Sequence, residues 1–228
     1  MLLKFLKFCI AVLLLPACAV VCLSLFHLIL ALQPESSRQI PPSFWGLAIG
    51  FFLWLFLFIV CQKPVRTYVL GHELTHALWA AVTGARVSRL RVSGKGGSVQ
   101  VSKSTFLITL APYFFPFYTF CVLLLYAVIS AFHNQRVYEP FWLGLVGLTW
   151  AFHLTFTVHM LLQHQPDIHE NGRLFSCVII LLFNAAGLCV WIVCMSSVTF
   201  DQLLAIITAD SRTMLNAGLR LLQTAYSG

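Results

Sequence analysis

Apolar residues occupy long runs along this chain, and short polar segments separate them. The runs cover residues 8–32, 43–61, 68–83, 104–132, 140–163 and 174–198. Five of them are long enough to cross a hydrocarbon core of about 30 Å as helices. The run at 68–83 is shorter and reaches only about 24 Å at about 1.5 Å per residue. The pattern therefore predicts an all-α polytopic membrane protein with five to six transmembrane or half-inserted helices.

The segment 86–103 departs from this pattern. Its apolar residues alternate loosely with Ser, Arg and Gln on both sides of the glycine-rich stretch 94–97. Alternation with a period of two around glycines is typical of a β-hairpin. Just before the hairpin, Gly84 is a candidate C-cap for a helix over about 68–83.

The two ends of the chain carry weaker signals. Lys4 and Lys7 precede the first apolar run as in a signal peptide, but the run continues to about Leu32, so we expect an uncleaved first helix. We expect one membrane domain over 1–198 and an amphipathic interfacial tail over 199–228. In the tail, Asp201 and Asp210 are candidate N-caps for one or two short helices.

Composition supports the membrane class and argues against nucleic-acid binding. Of the 228 residues, 60% are hydrophobic and 9% are charged, whereas a soluble domain carries about a quarter charged residues. The formal charge of +7 is spread over loops, with no basic stripe and interleaved aromatic residues. The eight cysteines form no CxxC pair and lie mostly in apolar runs, where cysteine behaves as a small hydrophobic residue.

The sequence His72-Glu73-Leu74-Thr75-His76 stands inside the short apolar run. Positions i and i+4 share one face of a helix, so His72 and His76 can bind one zinc ion together. Glu73 then lies beside the open metal position, where it can act as general base on a water molecule. Ionisable side chains in an apolar segment usually mark function.

A zinc site needs a third protein ligand at the same depth. The best candidate is Asp167, which follows the run 140–163 directly. A structural alternative is that Asp167 caps the next helix. His164, His169 and Glu170 are neighbouring alternatives for the ligand.

The distribution of Lys and Arg predicts the side of the membrane on which the motif lies. With a cytoplasmic N-terminus, a crossing helix over 68–83 leaves seven of these residues on each side. If that helix enters and returns to the same side, ten are cytoplasmic and four are outside. The ten are residues 4, 7, 63, 66, 86, 89, 91, 95, 103 and 173, and the four are residues 38, 136, 212 and 220. The second arrangement obeys the positive-inside rule and brings Asp167 to the side of the motif.

The stretch 71–78, set among membrane helices and followed by a glycine-rich hairpin, resembles the site-2-protease (M50) family of intramembrane zinc metalloproteases. The stretches 96–99 and 110–116 also look like the bacterial M50-like branch of that family. The resemblance covers about residues 66–175. It implies that His72 and His76 bind zinc and that Glu73 is the catalytic base.

The family's third ligand is an aspartate, usually followed by glycine on a later helix, whereas here Asp167 is followed by Ile168. In the family, the hairpin helps to hold an extended substrate. That role corresponds here to Gly97, Ser98 and Val99, and addition of a strand is its physical mode.

The resemblance thus implies hydrolysis of peptide bonds in transmembrane or membrane-adjacent substrates, with one zinc ion per chain. It implies a bacterial inner-membrane protein whose active site faces the cytoplasm, with a membrane-protein or peptide substrate and a regulatory membrane partner. Two other hypotheses stay open. One is a non-catalytic metal-binding scaffold, in which four protein ligands close the site. The other is a zinc hydrolase of a lipid or small molecule, which has no need of the hairpin.

Overall fold

The chain folds into α-helices and one small antiparallel sheet, as predicted. The computed structural model describes residues 2–32, 42–93, 96–163 and 165–227. Its elements are α1 (Leu2–Ala31), α2 (Pro42–Val60), α3 (Val65–Val82), β1 (Val87–Ser93), β2 (Gly96–Val101), α4 (Phe106–Phe114), α5 (Phe117–Phe132), a 3₁₀ turn (Arg136–Tyr138), α6 (Glu139–Leu161), α7 (Pro166–Asn171), α8 (Arg173–Met195) and α9 (Phe200–Ser227). Arg38 and Lys95, which enter the charge count, and the candidate ligand His164 lie outside the described residues.

Three helices within the described residues, α1, α6 and α8, are long and apolar enough to cross a membrane. A fourth span is possible if α4 and α5 count together, although they are bent by 74°. The count of three to four candidate spans is lower than the five predicted from the apolar runs. The apolar part of α2 (Phe44–Val60) is shorter than these spans, and α3 is not among them.

The run 104–132 breaks because of a proline. Phe115 has extended backbone angles (φ −103°, ψ 106°), which the following Pro116 favours by excluding the helical region for the residue before it. Thr105 caps the start of α4 by accepting a hydrogen bond from the Ile108 N–H. All residues from Ile108 to Phe114 are buried, so α4 is a short internal helix.

The chain divides into two compact units, and residues 38–170 form the first. In this unit α2 packs against α6 through glycines. A Cβ atom on Gly50 would lie 1.9 Å from the backbone oxygen of Gly144, and one on Gly46 would lie 2.1 Å from that of Pro140. The Gly46-xxx-Gly50 spacing thus allows the two backbones to approach closely, as small residues do in membrane helix pairs.

The second unit contains residues 1–37 and 171–228, where α1 packs against α8 and α9. The tail forms one continuous helix, α9, and not two short ones. Its N-terminus is a capping box between Thr199 and Gln202, so neither aspartate caps a helix. Asp210 is instead buried and accepts a 2.8 Å hydrogen bond from the Ser24 hydroxyl of α1.

The C-terminus of α3 leads directly into the hairpin. Gly84 has φ +72°, its N–H bonds the Ala81 carbonyl at 3.1 Å, and the Ala85 N–H bonds the Ala80 carbonyl at 2.7 Å. This pair of bonds is a Schellman motif, which confirms Gly84 as the stop signal of the helix. In the antiparallel hairpin that follows, Leu90 pairs with Val99.

Candidate metal centre

The two motif histidines lie one turn apart on α3, as their spacing predicts. Their Nε2 atoms are 3.1 Å apart, and their rings are nearly perpendicular at 82°. The His72 and His76 side chains are 11% and 12% exposed, respectively. Both imidazoles therefore present one nitrogen to the same small, largely buried volume.

Asp167 of α7 completes a triangle of ligand atoms. Its Oδ2 atom lies 3.4 Å from Nε2 of His72 and 3.6 Å from Nε2 of His76. Ligand atoms around a tetrahedral zinc ion with bonds of about 2.0–2.1 Å are about 3.3–3.4 Å apart, so the three edges fit such an ion. Among the described residues, this is the one group of three or more His, Cys, Asp or Glu side chains that could hold a metal ion.

Hydrogen bonds from outside the triangle orient both imidazoles. His76 Nδ1–H donates to the Ile108 carbonyl at 2.7 Å, and because a carbonyl only accepts, its Nε2 lone pair is left for a metal. Nδ1 of His72 lies 3.0 Å from the hydroxyl of Tyr68, one turn earlier on α3. Outer partners of this kind fix the tautomer and the ring orientation of metal-binding histidines.

The alternatives to Asp167 do not join the group. Glu170 accepts a hydrogen bond from Ser104 at 3.4 Å, and neither Glu170 nor His169 lies in the cluster. His164 is outside the described residues. Asp167 lies one residue inside the start of α7 and not at its N-cap, and its carboxylate contacts the motif histidines.

Burial and the mutual contacts of the three groups determine their charges. Burial raises the pKa of Asp167, but its contacts with the two imidazoles outweigh burial and hold that pKa well below its usual range. Burial lowers the pKa of His72, whereas the Asp167 carboxylate outweighs burial and raises the pKa of His76. Asp167 is therefore an anion at neutral pH, as a metal ligand must be.

Glu73 lies beneath the hairpin. The residue is 6% exposed, and burial raises the pKa of its carboxyl group. A Cβ atom on Gly97 of β2 would lie 2.5 Å from Cγ and 2.7 Å from Oε1 of Glu73. Of the predicted substrate residues, Gly97 is thus beside the catalytic candidate, while Ser98 and Val99 follow it along β2 opposite Arg91 and Leu90.

A small cleft opens beside His72. It is lined by residues of α3, α4, α5 and α6, among them Thr75, Thr149 and His153. It holds about 20 Å³ of space for the centres of water molecules, which is enough for about one water. The cleft therefore offers solvent a position next to the ligand triangle.

Two tyrosines at the site were not predicted from the sequence. Tyr68 lies four residues before His72, so a search for polar residues on the histidine face of α3 would have found it. Tyr113 donates a hydrogen bond to Oδ2 of Asp167 at 3.1 Å, across 54 residues of sequence. Its signal was a polar group inside the apolar stretch 110–116.

The composition of the arrangement suits a metal-binding site. These three side chains, bound to a tetrahedral ion, would leave a fourth position open, and the buried Glu73 follows His72 in sequence. A site of this kind can activate a water molecule for hydrolysis. No protein-family model, curated protein or solved structure matches the chain.

Proposed function

We propose that this protein is an intramembrane zinc metalloprotease of the site-2-protease type. One observation carries the proposal. His72 and His76 of α3 lie at distances from Asp167 of α7, and from each other, that suit the ligands of a tetrahedral ion. Glu73, which stands between the two histidines in sequence, is buried. A group of this composition has no simple packing role inside an apolar segment.

The chain's own residues would divide the work of hydrolysis. Zinc bound by the triangle supplies Lewis-acid chemistry, which makes water a stronger nucleophile and polarises the scissile carbonyl. Glu73 accepts a proton as the water oxygen adds to the carbonyl carbon, and it returns that proton to the leaving nitrogen as the C–N bond breaks. The raised pKa of its carboxyl group makes the Glu73 carboxylate a stronger base for the first of these two proton transfers.

The substrate we propose is an unwound segment of a transmembrane or membrane-adjacent chain. The hairpin supports this class, since β1 and β2 form a two-stranded sheet whose outer edges have no further strand among the described residues. An extended peptide could pair with such an edge next to Glu73, with Gly97, Ser98 and Val99 as its contacts.

The three candidate spans are consistent with an integral membrane protein. We propose that it resides in a bacterial inner membrane, with the site toward the cytoplasm and α3 half-inserted. The charge distribution supports this orientation, because ten of the fourteen Lys and Arg residues then face the cytoplasm. A regulatory membrane partner belongs to the same proposal.

The test begins with metal. Protein purified in detergent is assayed for zinc and other transition metals in wild type and in His76→Ala, Asp167→Ala, Glu73→Gln and His169→Ala. His169 is the matched control, because it is a histidine on α7 outside the triangle. We expect about one zinc per chain in wild type, Glu73→Gln and His169→Ala, and loss of zinc in the two ligand variants.

Cleavage is then measured on a fluorescent transmembrane peptide in detergent and in vesicles. We expect cleavage by wild type and its loss in Glu73→Gln despite full zinc content. If zinc binds but every peptide stays intact, the scaffold hypothesis replaces the protease. If instead a lipid ester is hydrolysed, and Val99→Pro in β2 leaves that activity unchanged, the protein is a lipid hydrolase. If wild type binds no zinc under metal-replete conditions, the proposed function is wrong.

A further inference from the structure

Tyr113 is a fully buried tyrosine whose hydroxyl contacts Asp167, the proposed third metal ligand. Its exposed fraction is 0%, and its hydroxyl donates to Oδ2 of Asp167 at 3.1 Å. Burying a phenol hydroxyl is unfavourable unless it finds a hydrogen-bond partner. A phenylalanine would fill the same apolar surroundings without that requirement, so the hydroxyl calls for a specific explanation.

The oxygen that Tyr113 contacts is the one that faces the triangle. Oδ2 of Asp167 is also the atom at 3.4 Å from His72 and at 3.6 Å from His76. A carboxylate has two oxygens and can rotate about its last bond, so it offers either oxygen unless a donor selects one. A hydrogen bond from a buried donor to Oδ2 holds that oxygen toward the histidines.

The helix that carries Asp167 gives the side chain little support of its own. α7 has six residues and is followed at once by Gly172, whose φ of +89° ends it. Short helices are only marginally held by their own hydrogen bonds. The position of the third ligand therefore depends on contacts with the better packed α4.

α4 contacts all three ligands. The Ile108 carbonyl accepts from His76, the Tyr113 hydroxyl donates to Asp167, and the Tyr113 ring packs edge-on against the His72 ring, with centroids 5.3 Å apart at 87°. Every residue from Ile108 to Phe114 is buried. This buried helix thus contacts every member of the triangle.

We propose that Tyr113 is a positioning residue whose hydroxyl fixes Asp167 as the third metal ligand. The proposal rests on the metal site of the proposed function and adds a residue to it. Tyr113 acts through Asp167, so its removal should change metal affinity and ligand geometry before it changes any step of peptide hydrolysis. Hydrogen bonds to ligating carboxylates typically contribute 10–100-fold to metal affinity.

The experiment compares Tyr113→Phe with wild type without a peptide substrate. Zinc affinity is measured by competition with a chromogenic chelator, and the visible spectrum of the Co²⁺-loaded protein reports ligand geometry. Tyr118→Phe is the matched control, because its hydroxyl donates at 2.6 Å to the backbone oxygen of Thr67 and not to a ligand. We expect Tyr113→Phe to weaken zinc binding about 10–100-fold and to shift the Co²⁺ bands. Tyr118→Phe should do neither.

A double-mutant cycle separates positioning from a general packing defect. The cycle is measured as the free energy of unfolding of the metal-free protein. In an Asp167→Ala background, Tyr113→Phe should cause little further loss of stability, because the contact through which it acts is already removed. Full additivity of the two losses would overturn the proposal, as would an unchanged zinc affinity and Co²⁺ spectrum in Tyr113→Phe. Because neither readout requires peptide cleavage, the proposal stands if zinc binding responds as expected in a protein that cleaves no peptide.

Discussion

Glu73 lies so close to Gly97 that a Cβ atom at position 97 would be 2.5 Å from Cγ of the glutamate. The contact joins the motif helix α3 to the second strand of the hairpin. It also leaves Glu73 only 6% exposed. The hairpin therefore serves as the cover of the catalytic candidate, in addition to its proposed role in holding the substrate.

Gly97→Ala should lower peptide cleavage at least about 10-fold while zinc content stays at the wild-type level. The added methyl group displaces the Glu73 carboxylate, and a loss of about 1.4 kcal/mol of transition-state stabilisation is a tenfold loss of rate. The measurement is kcat and zinc content of the purified variant. Gly187→Ala on α8 is the control, because no atom of the described residues lies within 4 Å of a Cβ there. Full activity of Gly97→Ala would show that Glu73 can shift freely.

Gly50→Ala should destabilise the helix pair α2–α6. The new Cβ would lie 1.9 Å from the backbone oxygen of Gly144, and a backbone atom cannot move aside as a side-chain end can. Overpacking of this kind costs about 1–3 kcal/mol. Thermal unfolding in detergent should show a lower midpoint than wild type, while Gly187→Ala keeps or raises it. An unchanged midpoint for Gly50→Ala would mean that α2 and α6 can move apart without a loss of stability.

Asp167→Asn should destabilise the metal-free protein in a pH-dependent way. The pKa of Asp167 is depressed in the folded state, so the unfolded chain binds more protons in the window below the ordinary carboxyl pKa of 3.8. The stabilisation by the carboxylate is thus present above that pKa and is lost as the pH falls through the folded value. We expect a loss of about 2 kcal/mol at pH 6 that shrinks below pH about 4. Chemical unfolding of chelator-treated wild type and variant at several pH values measures it, and a constant difference would contradict the assignment.

Asp210→Ala should release α9 from α1. The buried carboxylate accepts from the Ser24 hydroxyl at 2.8 Å and lies 2.8 Å from Nδ1 of His27, so its removal leaves two polar groups without this partner. The expected cost is about 1–3 kcal/mol. Limited proteolysis should cut α9 faster in this variant than in wild type. Asp201→Ala, at an exposed position in the first turn of the same helix, should change the rate little.

The proposed half-insertion of α3 would place both of its flanks on the cytoplasmic side. Lys63→Cys and Lys103→Cys should therefore react with a membrane-impermeant thiol reagent in inverted vesicles and stay protected in right-side-out cells. The background replaces the four exposed cysteines, which are Cys61, Cys121, Cys177 and Cys194. Labelling of the two positions from opposite sides would show that α3 crosses the membrane.

The sequence by itself determined the local features of this protein. The i, i+4 spacing of His72 and His76 is a property of any α-helix, and Gly84 ends that helix because glycine accepts a positive φ. The hairpin after α3 followed from alternation around glycines, since pairing of neighbouring strands needs no distant partner. These features depend on residues that are close together in the chain.

Only the tertiary structure decided which distant groups meet. Asp167 stood among several polar neighbours that sequence could not separate, and the packing of α7 brought its Oδ2 to the histidines. The contacts of Tyr113 with Asp167 and of Gly97 with Glu73 join segments that no spacing rule relates. Asp210 was a candidate helix cap by pattern. In the structure it lies inside one long helix and accepts a hydrogen bond from Ser24 of α1. Such choices depend on the burial of whole faces and on hydrogen bonds across the fold, which a single sequence does not specify position by position.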